Sequence, residues 1–268
     1  MKKHQTPKLP HQVDTDWSGV AQWYDDLVGQ GGGEFHREII LPGVLRLLEL
    51  TAGQKALDIA CGQGVLCRSL AERGVDVTGI DSSADLIRAA GQRSGEARIH
   101  YHVADVRRLD FLPAASFHAA ACVMAIQNMH PLAPIFQGIG KALRDDGRLV
   151  IVMMHPCFRV PKQTSWGWDE AAKVQYRRID RYLLPRKTPI SMHPGSDPGL
   201  YTWTFHKPLE LFFKALRQAG FVVDTLEEWP SHKTSTSGPR APAENEARKE
   251  IPMFLALRAV PMRAVARS

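Results

Sequence analysis

Between Lys55 and Met154, short apolar runs alternate with stretches that read as helix. A chain patterned this way is constrained to βαβ units around a mostly parallel sheet. Strands are expected at Lys55 to Ala60, Val75 to Ile80, Arg98 to Val103, Phe117 to Met124 and Arg148 to Met154. Helices are expected at Val65 to Arg73, Ser83 to Arg93 and Pro134 to Leu143, with Gly74 and Gly147 where C-caps and turns belong. The strands lack clean polar and apolar alternation, as a sheet covered on both faces requires.

The flanks read differently. Phe35 to Leu50 is an apolar helix, started or interrupted by Pro42. Residues 157–206 are rich in Trp, Tyr, Arg and Pro with little periodicity, and are expected to form an insertion over the sheet edge. The α/β pattern resumes with a helix at Pro208 to Ala219 and strands at Phe221 to Leu226 and Met253 to Val260, while the polar stretch 229–250 reads as a long loop. The expected division is a lead and lid over 1–54, an α/β core over 55–156, an aromatic and basic cap over 157–206, and the rest of the core over 207–268.

Composition excludes several classes. With 268 residues, 44% of them hydrophobic, the chain can bury one large core with an inserted cap. The longest apolar run, Ala119 to Ile126, is far short of the ~20 residues that span a bilayer. The stretch from Met1 to Asp16 is polar and has no signal-like apolar segment. Cys61, Cys67, Cys122 and Cys157 form neither a CxxC pair nor a disulfide framework, so a reducing, cytoplasmic setting without a structural metal is expected. The net charge of +6 is concentrated in the tails and in residues 159–187, which hold eight Lys or Arg against three acids. Basic character so localised does not favour a nucleic-acid partner.

The stretch KALDIACGQGVLCRSLAERGVDVTGIDSS, Lys55 to Ser83, is the most specific signal. A strand carrying Asp58 runs through Ala60, Cys61, Gly62, Gln63 and Gly64 into a helix. Small residues there let a ligand approach the backbone at the carboxyl end of the first strand, where open α/β sheets bind ligands. The second strand ends at Asp81, whose carboxylate can accept from both hydroxyls of a ribose. Asp105 follows the third strand, so three acceptors are expected along one lip of the sheet. A nicotinamide dinucleotide fits less well, because its fingerprint wants a small residue where Cys67 stands and has no use for Asp58 or Asp105.

This constellation resembles class I S-adenosylmethionine-dependent methyltransferases, from about Ala56 to Met154 and again in the helix and strands of 208–260. The resemblance implies a Rossmann-like sheet of seven mostly parallel strands in the order 3-2-1-4-5-7-6, the last antiparallel, with helices on both faces and a cap inserted after the fifth strand. It implies S-adenosyl-L-methionine as cofactor and S-adenosyl-L-homocysteine as product. The implied cofactor site is Asp58, Ala60, Cys61, Gly62 and Gly64 for the methionine part; Asp81 and Ser82 for the ribose; Ala104, Asp105 and Val106 for the adenine; then Cys122, with Tyr24 from the lead segment. Two positions depart from the family. Phe117-His118 stands where Phe-Asp is common, and Ala60 where Gly is commoner.

Because a sulfonium is already an activated donor, only an acceptor that carries a proton needs a base. The candidates are His155, just past the fifth strand, and His130, just past the fourth. Trp166, Trp168, Tyr176 and Trp203 of the cap are expected to cover an apolar or flat substrate, and the cap's positive balance suits an acceptor bearing carboxylate or phosphate. The expected function is methyl transfer to an oxygen or nitrogen of a small molecule. The alternatives are an RNA-modifying methyltransferase and a cofactor-binding protein that catalyses a non-methylating reaction.

Overall fold

The computed structural model describes residues 29, 31–95, 98–191 and 201–262. In chain order the strands are β1 (Lys55–Ile59), β2 (Asp76–Asp81), β3 (Ile99–Val103), β4 (Phe117–Val123), β5 (Leu143–Met154), β6 (Thr164–Asp169), β7 (Val174–Ile179), β8 (Arg186–Ser191), β9 (Tyr201–His206), β10 (Phe221–Trp229) and β11 (Phe254–Pro261). The α-helices are α1 (Leu41–Leu48), α2 (Val65–Ala71), α3 (Ala84–Arg93), α4 (Ala133–Ala142), α5 (Leu209–Gln218) and α6 (Ala241–Glu250).

Seven strands form one sheet in the order β10-β11-β5-β4-β1-β2-β3. β1 to β5 pair in parallel and β11 runs antiparallel to both β5 and β10, which is the expected seven-stranded Rossmann-like α/β fold. The two-residue period of the strands sorts their side chains. Leu57, Ile59, Ala120, Cys122, Leu149 and Ile151 face one layer with Phe136, Ile139 and Phe212. Ala56, Ala119, Ala121, Val150 and Val152 face the other, with Val44, Leu66 and Leu70. In β4 the residues Ala119 to Cys122 are 0–1% exposed; their small side chains let helices settle closely on both faces.

Three expectations change. The helix before β1 begins as a π-helix over His36–Ile40, with Leu41 N–H bonded to His36 O, and becomes α1 at Leu41. Pro42 has no N–H to give, and a wider turn just ahead of it accommodates that loss. Within α1, a methyl group on Gly43 would overlap the Trp229 indole, so β10 closes on that helix at a position only glycine permits. The stretch 229–250 is not all loop, because its last ten residues form α6. α6 buries Ala247 alone, so it has almost no apolar stripe to read; a polar network of Ser235, Glu244, Asn245 and Arg248 holds it.

The insertion is not irregular either. It folds as two antiparallel ribbons, β6 with β7 and β8 with β9. Its strands mix Trp, Tyr, Thr and Arg on both faces, so no apolar alternation announces them. The β8–β9 ribbon reaches the segment after β4, where Thr204 Oγ1 donates to Gln127 O at 3.3 Å and Lys207 Nζ to Met129 O at 2.8 Å. No helix among the described residues is long and apolar enough to cross a membrane.

Candidate functional site

A cleft of about 190 Å³ opens at the carboxyl ends of β1, β2 and β4. Ala60 and Gly62 line it from the turn after β1, Asp81 and Ser82 from the end of β2, and Asp105 and Val106 from the segment after β3. These are six of the residues that the sequence pattern points to.

Local chemistry fixes the geometry of that lining. Asp81 accepts Gly62 N–H and Ser83 N–H, each at 2.9 Å, and thereby ties the glycine turn to the start of α3. Ser83 caps α3 by accepting Leu86 N–H at 3.3 Å. Ala60 and Met124 both adopt φ of 55°, the left-handed region that side chains disfavour. Both line the cleft at the ends of adjacent strands, which places backbone strain at the site. Asp105 is held by Arg107, whose Nε and Nη2 reach its carboxylate at 2.9 and 2.6 Å; this pairing keeps the carboxyl below its usual range.

Other expected residues lie elsewhere. Asp58 is 2% exposed and does not line the cleft. It shares the parity of Ala56, so it points under α2, where Cys67 Sγ lies 3.2 Å from its carboxylate. Burial drives its pKa up to about 7. Hence Asp58, Asp81 and Asp105 do not converge on one lip. Cys61 and Cys67 meet beside Gly79 behind the turn, and Cys122 sits fully buried in the sheet. Burial raises all three thiol pKa values, which leaves them protonated rather than nucleophilic. Gly64 caps α2 against the Tyr101 hydroxyl, and Ala104 packs on the core; neither lines the cleft. His118, where the family often has Asp, accepts Lys55 N–H at 3.1 Å through Nδ1. Tyr24 lies outside the described residues.

Of the two histidines, His130 lines the cleft and His155 does not. The His155 ring is 2% exposed and spent in structure: Nε2 meets Glu228 Oε1 at 2.7 Å and Nδ1 accepts Cys157 N–H at 3.2 Å. The four cap aromatics likewise are not among the cleft's lining residues, and each packs on another side chain or on the backbone. Trp166 lies against Arg159 and Arg177, Trp168 against Arg240, and Trp203 against Lys187, while Tyr176 covers Gly167 and is 47% exposed.

Sequence reasoning missed Arg107, Met124, Asn128 and Met129 on the cleft wall. Asn128 is 8% exposed and its Oδ1 has no hydrogen-bond partner, an acceptor left open at the site. The available signal was position, since Asn128 and Met129 follow the carboxyl end of β4 directly and Arg107 follows Asp105 by two.

The donor set fits an adenosyl sulfonium: short side chains at the turn, a carboxylate at the end of β2, and acceptors at Asp105 and Asn128 in the same lining. Comparison with known proteins agrees. Residues 56–147 match the methyltransferase domain family. A dTDP-3-amino-3,6-dideoxy-alpha-D-glucopyranose N,N-dimethyltransferase of Streptomyces fradiae is 36% identical over 242 residues, covering 83% of this chain and 92% of that protein. A ubiquinone biosynthesis O-methyltransferase of Xanthomonas euvesicatoria is 31% identical over 220 residues, covering 81% and 83%. The crystal structure of an S-adenosylmethionine dependent methyltransferase from Mesorhizobium loti superposes with a TM-score of 0.66 at 26% identity, over 82% of this chain and 96% of that one. This chain belongs to the S-adenosylmethionine-dependent methyltransferase family. Its cofactor is S-adenosyl-L-methionine.

Proposed function

We propose that the protein transfers a methyl group from S-adenosylmethionine to an oxygen or nitrogen of a small-molecule acceptor. The observation that carries this reading is a single cleft lined both by Asp81 and the Ala60–Gly62 turn and by Asn128 and His130. Relatives named as an N,N-dimethyltransferase and an O-methyltransferase support nitrogen or oxygen as the acceptor atom.

When bound, the cofactor supplies a methyl group already activated on sulfur. The chain has to hold donor and acceptor in line and exclude water. Ala60 and Gly62 allow close approach to the backbone, and Asp81, whose bonds to Gly62 and Ser83 keep the turn in place, would accept from the ribose hydroxyls. Asp105, whose carboxylate also accepts from Arg107, would hold the adenine end. Asn128 orients the acceptor through its open amide oxygen. His130 takes the acceptor's proton as the bond from acceptor to methyl carbon forms and the sulfur–carbon bond breaks.

Calorimetry with S-adenosylhomocysteine tests the cofactor half. Asp81→Ala is expected to weaken binding about 10- to 100-fold, the ~1–3 kcal/mol of charge-assisted hydrogen bonds. Release of S-adenosylhomocysteine in the presence of small phenols and amines tests the transfer half. His130→Gln should leave cofactor affinity alone and slow turnover by about 10²- to 10⁴-fold. Absence of cofactor binding by the wild-type protein, or full turnover in His130→Gln, contradicts the respective assignment.

A further inference from the structure

Two guanidinium groups of the insertion lie against one indole, and no acid among the described residues pairs with either. The guanidinium carbons of Arg159 and Arg177 are 5.4 and 4.9 Å from the Trp166 ring centre. Arg177 is the cross-strand partner of Trp166 in the β6–β7 ribbon. Arg159 sits in the turn leaving β5, its N–H bonded to His155 O at 2.8 Å. The acids nearby are engaged elsewhere: Asp180 with Arg178, Glu170 with Lys173 and Arg240, Glu228 with His155.

Of the pair's many side-chain N–H donors, a single one, Arg177 Nε, has an acceptor among the described residues, Phe158 O at 3.1 Å. Arg159 Nε is buried with no partner at all. Burial, and then the charge of Arg177, lowers the Arg159 pKa to about 10, and burial lowers that of Arg177 as well. Partly desolvated like charges with open donors are unfavourable unless something offsets them.

We propose that Arg159 and Arg177 form the seat of a phosphoryl group carried by the methyl acceptor, which makes phosphorylated small molecules the substrate class. Charge selects phosphoryl over carboxylate. Two guanidinium groups match a phosphate of charge about −1.5 to −2, whereas a single carboxylate leaves one cation unbalanced. The planar forks also suit bidentate contact with phosphate oxygens. Position fits the same use: the turn that carries Arg159 leaves the carboxyl end of β5, the strand paired with β4, and the end of β4 forms a wall of the cleft. Assigning the anion to the acceptor rests on the methyltransferase reading, but the anion seat itself can be measured without any turnover.

The test is thermal denaturation of the full chain in increasing inorganic pyrophosphate, against sodium chloride and sodium acetate at matched ionic strength. A saturable rise of a few degrees is expected with pyrophosphate only. Arg159→Met and Arg177→Met should each weaken that response at least about tenfold while leaving S-adenosylhomocysteine affinity within about threefold of wild type. Both variants should melt no lower than wild type without anion, because removing one of two uncompensated like charges relieves repulsion. The control Lys162→Met, an exposed position in the same insertion, should respond as wild type does.

No saturable response in the wild-type protein overturns the seat, as does an unchanged response in both methionine variants. An acetate effect as large as that of pyrophosphate overturns the phosphoryl assignment. Loss of S-adenosylhomocysteine binding by the wild type would strike the methyltransferase reading instead, and the pyrophosphate result would stand apart from it.

Discussion

Gly64 closes the turn after β1 with φ of 78°, and the Tyr101 hydroxyl fills the space a Cβ would need. Gly64→Ala therefore meets two separable penalties: about 1–2 kcal/mol for a left-handed side-chain residue and about 1–3 kcal/mol for overpacking. Tyr101→Phe removes the hydroxyl that makes the nearest contact. In urea denaturation the double variant should regain much of the packing penalty and none of the backbone one; full recovery would show that backbone strain is absent. Ala60 offers the opposite experiment. Its φ of 55° already carries the strain, so Ala60→Gly should be neutral or stabilising by up to about 1 kcal/mol, with the greater freedom of glycine in the unfolded chain as the opposing effect. A clear loss of stability there would mean that the alanine methyl packs usefully against the cleft.

Among the elements, the insertion contributes no described residue to the cleft lining. None of its described aromatic side chains lines the cleft, and its β6–β7 ribbon leans instead on α6, where the Arg240 guanidinium lies over Trp168 at 4.6 Å. Replacing residues 161–180 with a short turn should thus leave S-adenosylhomocysteine affinity within about threefold of wild type. A larger loss, by calorimetry, would show that this ribbon shapes the cofactor site. The core strands were legible in sequence because burial on both faces leaves unbroken apolar runs, and the sheet order came from the family resemblance. The ribbons and α6 were not, since cation-π pairs and polar networks hold them rather than an apolar stripe. The cleft was half legible. Asp81 and Asp105 stand where strand ends place them, whereas the two-residue period of β1 turns Asp58 beneath α2, and only tertiary contact with Glu228 reveals that His155 is a structural group.

For the molecule as a whole, two buried ionisable groups of opposite sign set the pH dependence of stability. Burial raises the Asp58 pKa from 3.8 to about 7, with the charge of Asp81 adding to the rise and the Cys67 thiol opposing it. The folded state then holds a proton that the unfolded chain has released. That contribution to stability is present below pH 3.8 and is lost as pH rises to about 7. Lys207 is 6% exposed, donates to Met129 O and Phe205 O, and has its pKa lowered by burial from 10.5 to about 7. Its contribution is present above pH 10.5 and is lost as pH falls to about 7. The two effects together put their combined minimum near neutrality. Variants isolate each limb: relative to Asp58→Asn, wild-type stability should fall by about 2–3 kcal/mol between pH 5 and 7, and relative to Lys207→Met it should rise by a similar ~2–3 kcal/mol between pH 7 and 9. The slope carries the inference rather than the level, because methionine also leaves the Met129 and Phe205 carbonyls without their donor. Parallel curves for wild type and Asp58→Asn from pH 5 to 7, in equilibrium urea denaturation, would mean that the carboxyl stays ionised beneath α2. The thiol of Cys67 and the backbone around it would then have to stabilise a full buried charge.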